Sequence, residues 1–247
     1  MRGGALSLQG LRRSFGGIVA TNDVSLDFAA GSLSAIIGPN GAGKSTFISL
    51  LSGSRRPVSG QVLMSGRDVT RDTAVVRARS GIGRTFQINS LFSDISPLKS
   101  VALVLAQRQG LGHAIAARLS RKSALLDEAC AILSLFGLSS VARSDTRQLA
   151  YGEQRLLEVA LAYAQKPRIL LLDEPVAGLT TAQGEALFDI LSGLGGGISL
   201  LFIEHDMPVV YKYAERISVL AGGKILARGS ADDIRANAEV RNAYLGT

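Results

Sequence analysis

The 247-residue chain has one cysteine, few aromatic residues and no long apolar run. A lone thiol, Cys130, excludes an internal disulfide and a cysteine-based zinc site. Its spacing to Ala129, Ala131 and Leu133 predicts a place in a helix core. The longest apolar stretches, residues 169–172 and 198–203, are strand-sized, far below the roughly 18 residues that span a bilayer. The opening Met-Arg-Gly-Gly-Ala lacks the apolar core of a secretory signal. Together these absences predict a cytoplasmic chain. Positive charge is in excess, at +7 net, yet no run of five or six basic residues occurs. The aromatics do not interleave with basic clusters, so base stacking and a nucleic-acid partner are not expected. The excess reads as a solvated basic surface. No fixed-period repeat and no low-complexity segment occurs. Apolar residues at 47% and charged residues at 19% suit a globular protein with a sizeable core.

What is present is most concentrated at Gly38-Pro39-Asn40-Gly41-Ala42-Gly43-Lys44-Ser45, which fits G-x-x-x-x-G-K-[ST] without a gap. An apolar run (Leu33, Ala35, Ile36, Ile37) precedes it, and a helix is predicted over 46–51. That strand–loop–helix context makes the stretch a phosphate loop. Its glycines let backbone N–H groups close around phosphate oxygens. The helix start, with Thr46 beside the loop, adds partial positive charge. Lys44 would reach the β- and γ-phosphates, and Ser45 would hold a bridging Mg²⁺.

Elsewhere, apolar and polar residues alternate at Leu6 and Leu8 and again at Val24, Leu26 and Phe28, predicting strands. Residues 61–64 and 81–86 offer two more. From about residue 90 to 164 apolar residues recur at helical spacing: Leu98, Val101 and Leu105, then Leu125, Leu126, Ala129, Ile132, Leu133 and Phe136. After Pro167, strands (169–172, 199–203) alternate with helices (182–191, 208–214), which predicts a parallel sheet with crossover helices. Residues 168–174, Arg-Ile-Leu-Leu-Leu-Asp-Glu, read as a buried strand ending in two acids. Asp173 would face the Mg²⁺ beside Ser45. Glu174 would orient or deprotonate a water attacking the γ-phosphate. The carboxyl ends of parallel strands are where open α/β sheets bind ligands.

Between these motifs lies Leu149-Ala150-Tyr151-Gly152-Glu153-Gln154-Arg155, with Gly152 at the start of a helical stretch. With this heptad in place, the chain resembles the ATP-binding subunit of an ABC transporter over essentially its whole length. The heptad resembles that family's LSGGQ signature. The resemblance implies an α/β fold: a P-loop ATPase core with a mainly parallel sheet, an antiparallel β subdomain and a helical subdomain. It sets the boundaries at 1–87 and 165–230 for the core, 88–164 for the helical part and 231–247 for a C-terminal extension. It also implies that two subunits sandwich two ATP molecules, with Tyr151, Gly152 and Glu153 of one facing the γ-phosphate on the other's loop. Gln87, in Gly83-Arg-Thr-Phe-Gln87, resembles the glutamine that senses Mg²⁺ and attacking water. His205 resembles the switch histidine on the γ-phosphate, and Phe15 the ring that stacks on adenine. Residues 177–180 stand where the family has its D-loop. Glu174, His205, Gln87 and Lys44 are thereby the expected catalytic set, and Ser45, Gln87 and Asp173 the expected metal ligands.

The chain departs from the pattern at Ala150, where the family has a serine, and at Tyr151, Glu153 and Thr180. Residues 15–24, 83–87, 204–207 and 240–246, with the signature, resemble the branched-chain (hydrophobic) amino acid uptake group. The tail reads as a small helix burying Ile234, Val240, Tyr244 and Leu245. The expected partners are a second ATP-binding subunit, integral permease subunits and, indirectly, a substrate-binding protein, at the cytoplasmic face of the inner membrane. Leu91-Phe92 and a helix over 97–105 are the expected docking surface. Urea or amide uptake and lipopolysaccharide export are alternative cargoes by motif style. A soluble ABC ATPase would commonly carry tandem halves or long coiled inserts, which this chain lacks. A P-loop kinase would leave the signature and His205 unexplained.

Overall fold

The computed structural model describes residues 5–85, 94–110, 123–194 and 197–245. Its contacts divide the chain into two compact units: Met1–Arg84, Arg168–Pro175 and Ser192–Thr247 in the first, Thr85–Pro167 and Val176–Leu191 in the second.

The first unit holds two sheets. Strands β1 (Leu6–Phe15), β2 (Ile18–Phe28), β4 (Ser59–Met64) and β5 (Arg67–Asp68) form an antiparallel sheet in the order β2-β1-β4-β5. The other runs β10-β9-β3-β8-β7-β6, from β3 (Leu33–Ile37), β6 (Ile82–Arg84), β7 (Ile169–Asp173), β8 (Ser199–Ile203), β9 (Arg216–Ala221) and β10 (Lys224–Gly229). All its pairings are parallel except β10 with β9. Composition explains the difference. Strands β3 and β8 are buried at every position, as expected of parallel strands covered on both faces. β1 and β2 alternate buried and accessible residues, as antiparallel strands with one wet face do. Helix α1 (Lys44–Ser52) contributes Phe47, Ile48 and Leu51 to a core shared with Leu6, Leu8, Leu26 and Phe28 of the antiparallel sheet and Ile36, Leu171 and Ile203 of the parallel one. This core fixes the end of β3 and the start of α1, and so the loop between them.

The second unit is helical: α3 (Pro97–Arg108), α4 (Ser123–Leu135), α5 (Tyr151–Ala164) and most of α6 (Thr181–Gly193), following α2 (Ala74–Ser80) of the first unit. Ser96 caps α3, its hydroxyl accepting from Lys99 N–H, and Pro97 occupies the first turn. Phe136 packs edge-on to Tyr163 with ring centroids 5.7 Å apart. None of the described helices is long and apolar enough to cross a membrane.

Two expectations are corrected. Cys130 is exposed. The buried stripe of its helix is Leu125, Ala129, Ile132 and Leu133, continued by Phe136, and position 130 falls off that stripe at 3.6 residues per turn. The tail forms two helices rather than one, α8 (Ala231–Ala236) and α9 (Ala238–Leu245), after α7 (Met207–Tyr213). Asn237 adopts an extended conformation and its side chain accepts from Val240 N–H, so it ends one helix and caps the next. Ile234 and Val240 are buried as expected, but Tyr244 is 41% exposed. The predicted strand 81–86 is observed over Ile82–Arg84. Gln87, Leu91 and Phe92 lie outside the described residues.

Candidate nucleotide-binding site

The phosphate loop connects β3 to α1. Two of its glycines are demanded by close approach. A Cβ at Gly38 would stand 2.0 Å from the Leu220 carbonyl oxygen, and one at Gly43 equally close to that of Ala20. Gly43 also has φ of 101° and serves as the N-cap of α1, a conformation costly for any side chain. Gly43→Ala is therefore expected to open the loop and weaken nucleotide binding at least tenfold, read by titration with a fluorescent ATP analogue.

Lys44 is buried, and its ammonium donates to the carbonyls of Gly38 at 2.6 Å and Pro39 at 2.9 Å. Burial pulls its pKa below the ordinary lysine value, and the charges of Glu174 and Asp173 oppose that pull. The loop thus encloses a cation folded onto its own backbone, within the field of two carboxylates.

Those carboxylates end β7. Asp173 accepts from the Arg84 guanidinium, Nη2 to Oδ2, at 3.2 Å. Glu174 has φ of 50°, a left-handed conformation rare outside glycine, and its N–H donates to the Ile203 carbonyl at 3.0 Å. This anchored turn carries the Glu174 carboxylate. His205, just beyond β8, meets it with Nε2 2.6 Å from Glu174 Oε1. An ionised carboxylate only accepts, so Nε2 carries the hydrogen in this contact. Parallel pairing puts Asp173 beside Ile203, and this brings Glu174 and His205 together from 31 residues apart. Phe15, at the end of β1, is partly exposed, with the guanidinium carbons of Arg13 and Arg55 4.8 and 5.0 Å from its ring centroid.

Residues 21–177 match the family model for the ABC transporter, and residues 224–247 match that for the branched-chain amino acid ATP-binding cassette transporter. The chain belongs to the ABC transporter family. It is 36% identical over 250 residues to the high-affinity branched-chain amino acid transport ATP-binding protein LivG of Escherichia coli K12, covering 98% of this chain and 97% of that one. Identity to BraF of Pseudomonas aeruginosa, with the same description, is 36% over 251 residues, at 98% and 97% coverage. A nucleotide-free ATP-binding cassette from an ABC transporter superposes with a TM-score of 0.86 at 25% identity, covering 98% of this chain and 99% of that chain. The ADP conformation of another such cassette gives 0.85 at 27% identity, with the same coverage. The expected α/β ATPase fold, the nucleotide-binding cassette and its ATPase activity all agree with this membership.

Within this ABC subunit, the signature heptad lies in the second unit and opens α5. Leu149 is buried. Ala150 is the N-cap and offers no side-chain acceptor. Glu153 reaches back three residues, its carboxylate accepting from Ala150 N–H at 2.9 Å. This is one half of a capping box, the half that a serine would complete being absent. The Ala150/Glu153 spacing could have revealed it in the sequence. Tyr151, half exposed, lies over Gly178, where a Cβ would come within 2.4 Å of its ring. A Cβ on Gly152 would meet the Gln183 side chain at 3.0 Å. Thr180 and Gln183 in turn hold each other, Thr180 N–H donating to Gln183 Oε1 at 3.0 Å. The heptad and residues 178–183 therefore form one packed surface, a relation that sequence reasoning missed. It also missed Arg84, a cation inside an otherwise apolar or glycine strand.

Proposed function

We propose that the chain binds ATP in the 38–45 loop, hydrolyses it with Glu174 as the water-orienting base, and so powers uptake of branched-chain or other hydrophobic amino acids. The observation that carries the chemistry is the Glu174–His205 contact at 2.6 Å, which pairs a carboxylate with a group able to sense the γ-phosphate. The cargo reading rests on the named relatives and on the match of the last 24 residues, 224–247.

Among the described residues, no three His, Cys, Asp or Glu side chains cluster to hold a metal. One carboxylate and one hydroxyl, Asp173 and Ser45, suit Mg²⁺, which binds through few protein groups and keeps phosphate and water ligands. Held by these groups, Mg²⁺ would supply positive charge to the triphosphate. Gln87 is assigned to the same site by resemblance. Lys44 leaves its loop carbonyls for phosphate oxygens, exchanging neutral acceptors for charged ones. His205 holds Glu174 at the end of its turn. Phe15 offers a ring edge and face to adenine, shared with Arg13 and Arg55.

Two copies then meet so that Tyr151, Gly152 and Glu153 of each face the other's triphosphate. ATP can close such a dimer only by binding the closed form more tightly than the open one. Ala150 lowers that difference by one hydroxyl. Ala150→Ser is expected to tighten ATP-dependent dimerisation about tenfold or more, from one charge-assisted hydrogen bond of roughly 1.5–3 kcal/mol. Sedimentation of a hydrolysis-blocked background measures it, and an unaltered dissociation constant counts against the role. The partners proposed are integral permease subunits at the cytoplasmic face of the membrane, with a substrate-binding protein beyond them. Co-purification from membranes identifies the permease. ATPase stimulation of that assembly by its binding protein loaded with leucine, but not with urea, tests the cargo.

A further inference from the structure

We infer that Tyr244, on the last helix, is a positioning residue for the phosphate loop, its hydroxyl holding the backbone N–H of Gly38 where the loop leaves β3. The inference rests on the reading of residues 38–45 as the nucleotide loop.

The segment that follows β9 returns to the loop at both of its ends. At the far end, the Gly223 N–H, in the turn between β9 and β10, donates to the Ala42 carbonyl at 3.2 Å, and the Gly223 carbonyl accepts from Asn22 N–H at 2.8 Å. At the near end stands α9. Asn237 caps it and Val240 is buried in its first turn. Residues four apart share a helix face, so Tyr244 lies on the side that Val240 docks. Its hydroxyl and the Gly38 backbone form a hydrogen bond that favours the ionised phenol. A donor favours the ionised oxygen, so the Gly38 N–H donates and Tyr244 accepts. Burial still pushes the Tyr244 pKa up to about 12, and Tyr211 of α7 adds to the rise. The phenol is therefore neutral at neutral pH and puts no negative charge beside a triphosphate. The Arg235 guanidinium of α8 covers the Tyr211 ring, 4.1 Å from its centroid, which ties the tail to α7 one helix earlier. Gly38 itself has little room, since a Cβ there would run into the Leu220 carbonyl. Its own carbonyl accepts from Lys44 at 2.6 Å. When Lys44 turns to phosphate oxygens, Tyr244 still holds the other side of the residue.

The test uses the full chain, with a non-hydrolysable ATP analogue for affinity, ATP for turnover and ¹⁵N-glycine labelling for the Gly38 amide. Tyr244→Phe keeps the ring and deletes only the acceptor. It is expected to move the Gly38 cross-peak in the nucleotide-free chain and to weaken analogue binding about fivefold, the worth of one neutral hydrogen bond. Because Glu174 and His205 are untouched, kcat at saturating ATP should stay within about twofold. An unmoved Gly38 cross-peak would overturn the contact. A moved cross-peak with unchanged affinity would show a contact without a role and overturn the inference. A fall in kcat as large as the fall in affinity would place Tyr244 in the chemistry and overturn it too. If the native chain binds no analogue, the reading of the loop fails and the inference with it. Native binding beside an unaffected Tyr244→Phe fails the inference alone.

Discussion

Glu174→Gln is expected to bind ATP as the native chain does and to hydrolyse it about 10²–10⁴-fold more slowly, the range that a positioned general base contributes. The substitution keeps the shape of the side chain. It also keeps the features that place it: the left-handed backbone at φ 50° and the N–H bond to Ile203 O are backbone properties. The amide oxygen can still accept from His205 Nε2. What disappears is basicity at the one atom proposed to order the attacking water. The signature of that loss is a fall in kcat with nucleotide affinity preserved, measured by single-turnover hydrolysis beside equilibrium titration. A variant that also accumulates as an ATP-loaded dimer by light scattering would link the chemistry to dimer opening. Unchanged turnover would remove Glu174 from its role. A joint loss of binding and hydrolysis would instead make the residue structural. His205→Ala is the companion measurement. It removes the group that holds the Glu174 carboxylate but keeps the carboxylate itself, so a smaller loss of kcat is expected.

How far such roles can be read from sequence depends on the range over which the residues act. The phosphate loop is local: eight consecutive residues, the first six between the buried strand β3 and the helix α1, and Lys44 and Ser45 opening that helix. The strands β7 and β8 are also local signals, because fully covered strands are continuous apolar runs. The Glu174–His205 contact needed one step more, the parallel register of β7 with β8. Motif resemblance supplied the pair, and periodicity alone would not. Arg84 with Asp173 lies 89 residues apart, and nothing short of the β6–β7 register reveals it. Cys130 shows the opposite error. Its small apolar neighbours suggested a core, yet the helical phase of Leu125, Ala129 and Ile132 turns it to solvent. At the tail, apolar spacing predicts one helix, whereas Asn237, a residue type that favours helix caps, divides it into two.

Arg77 is the other case of a charge whose place contradicts its composition, and it carries the largest stability prediction. It is fully buried on α2, with no acidic partner within hydrogen-bonding distance among the described contacts. Its Nη1 donates to the carbonyls of Leu50 at 2.6 Å and Leu51 at 2.7 Å, and Nη2 to that of Thr70 at 2.9 Å. Leu50 and Leu51 close the last turn of α1, whose final carbonyls have no partner inside the helix. A cation there also suits the negative end of the helix dipole. Burial pulls the Arg77 pKa below its ordinary value, with Asp72 and Asp68 opposing, yet arginine stays charged at any working pH. Arg77→Met fills similar volume but strands two buried acceptors and one part-buried one, a buried one being worth about 1–3 kcal/mol when left unmade. Relief from burying the charge offsets part of that, as buried ions are themselves costly. A net destabilisation of about 3 kcal/mol is expected, which lowers the melting midpoint by roughly 6–12 °C for a chain of this size. Arg77→Lys keeps the charge but not the fork, and should fall between. The loop end of α1 has its own anchors in Lys44 and Gly43, so nucleotide affinity well below the midpoint should change little. A midpoint within 2 °C of the native chain would show that water or relaxed backbone satisfies the α1 carbonyls without Arg77. A large loss of nucleotide affinity in a still-folded variant would show that the two ends of α1 are not independent.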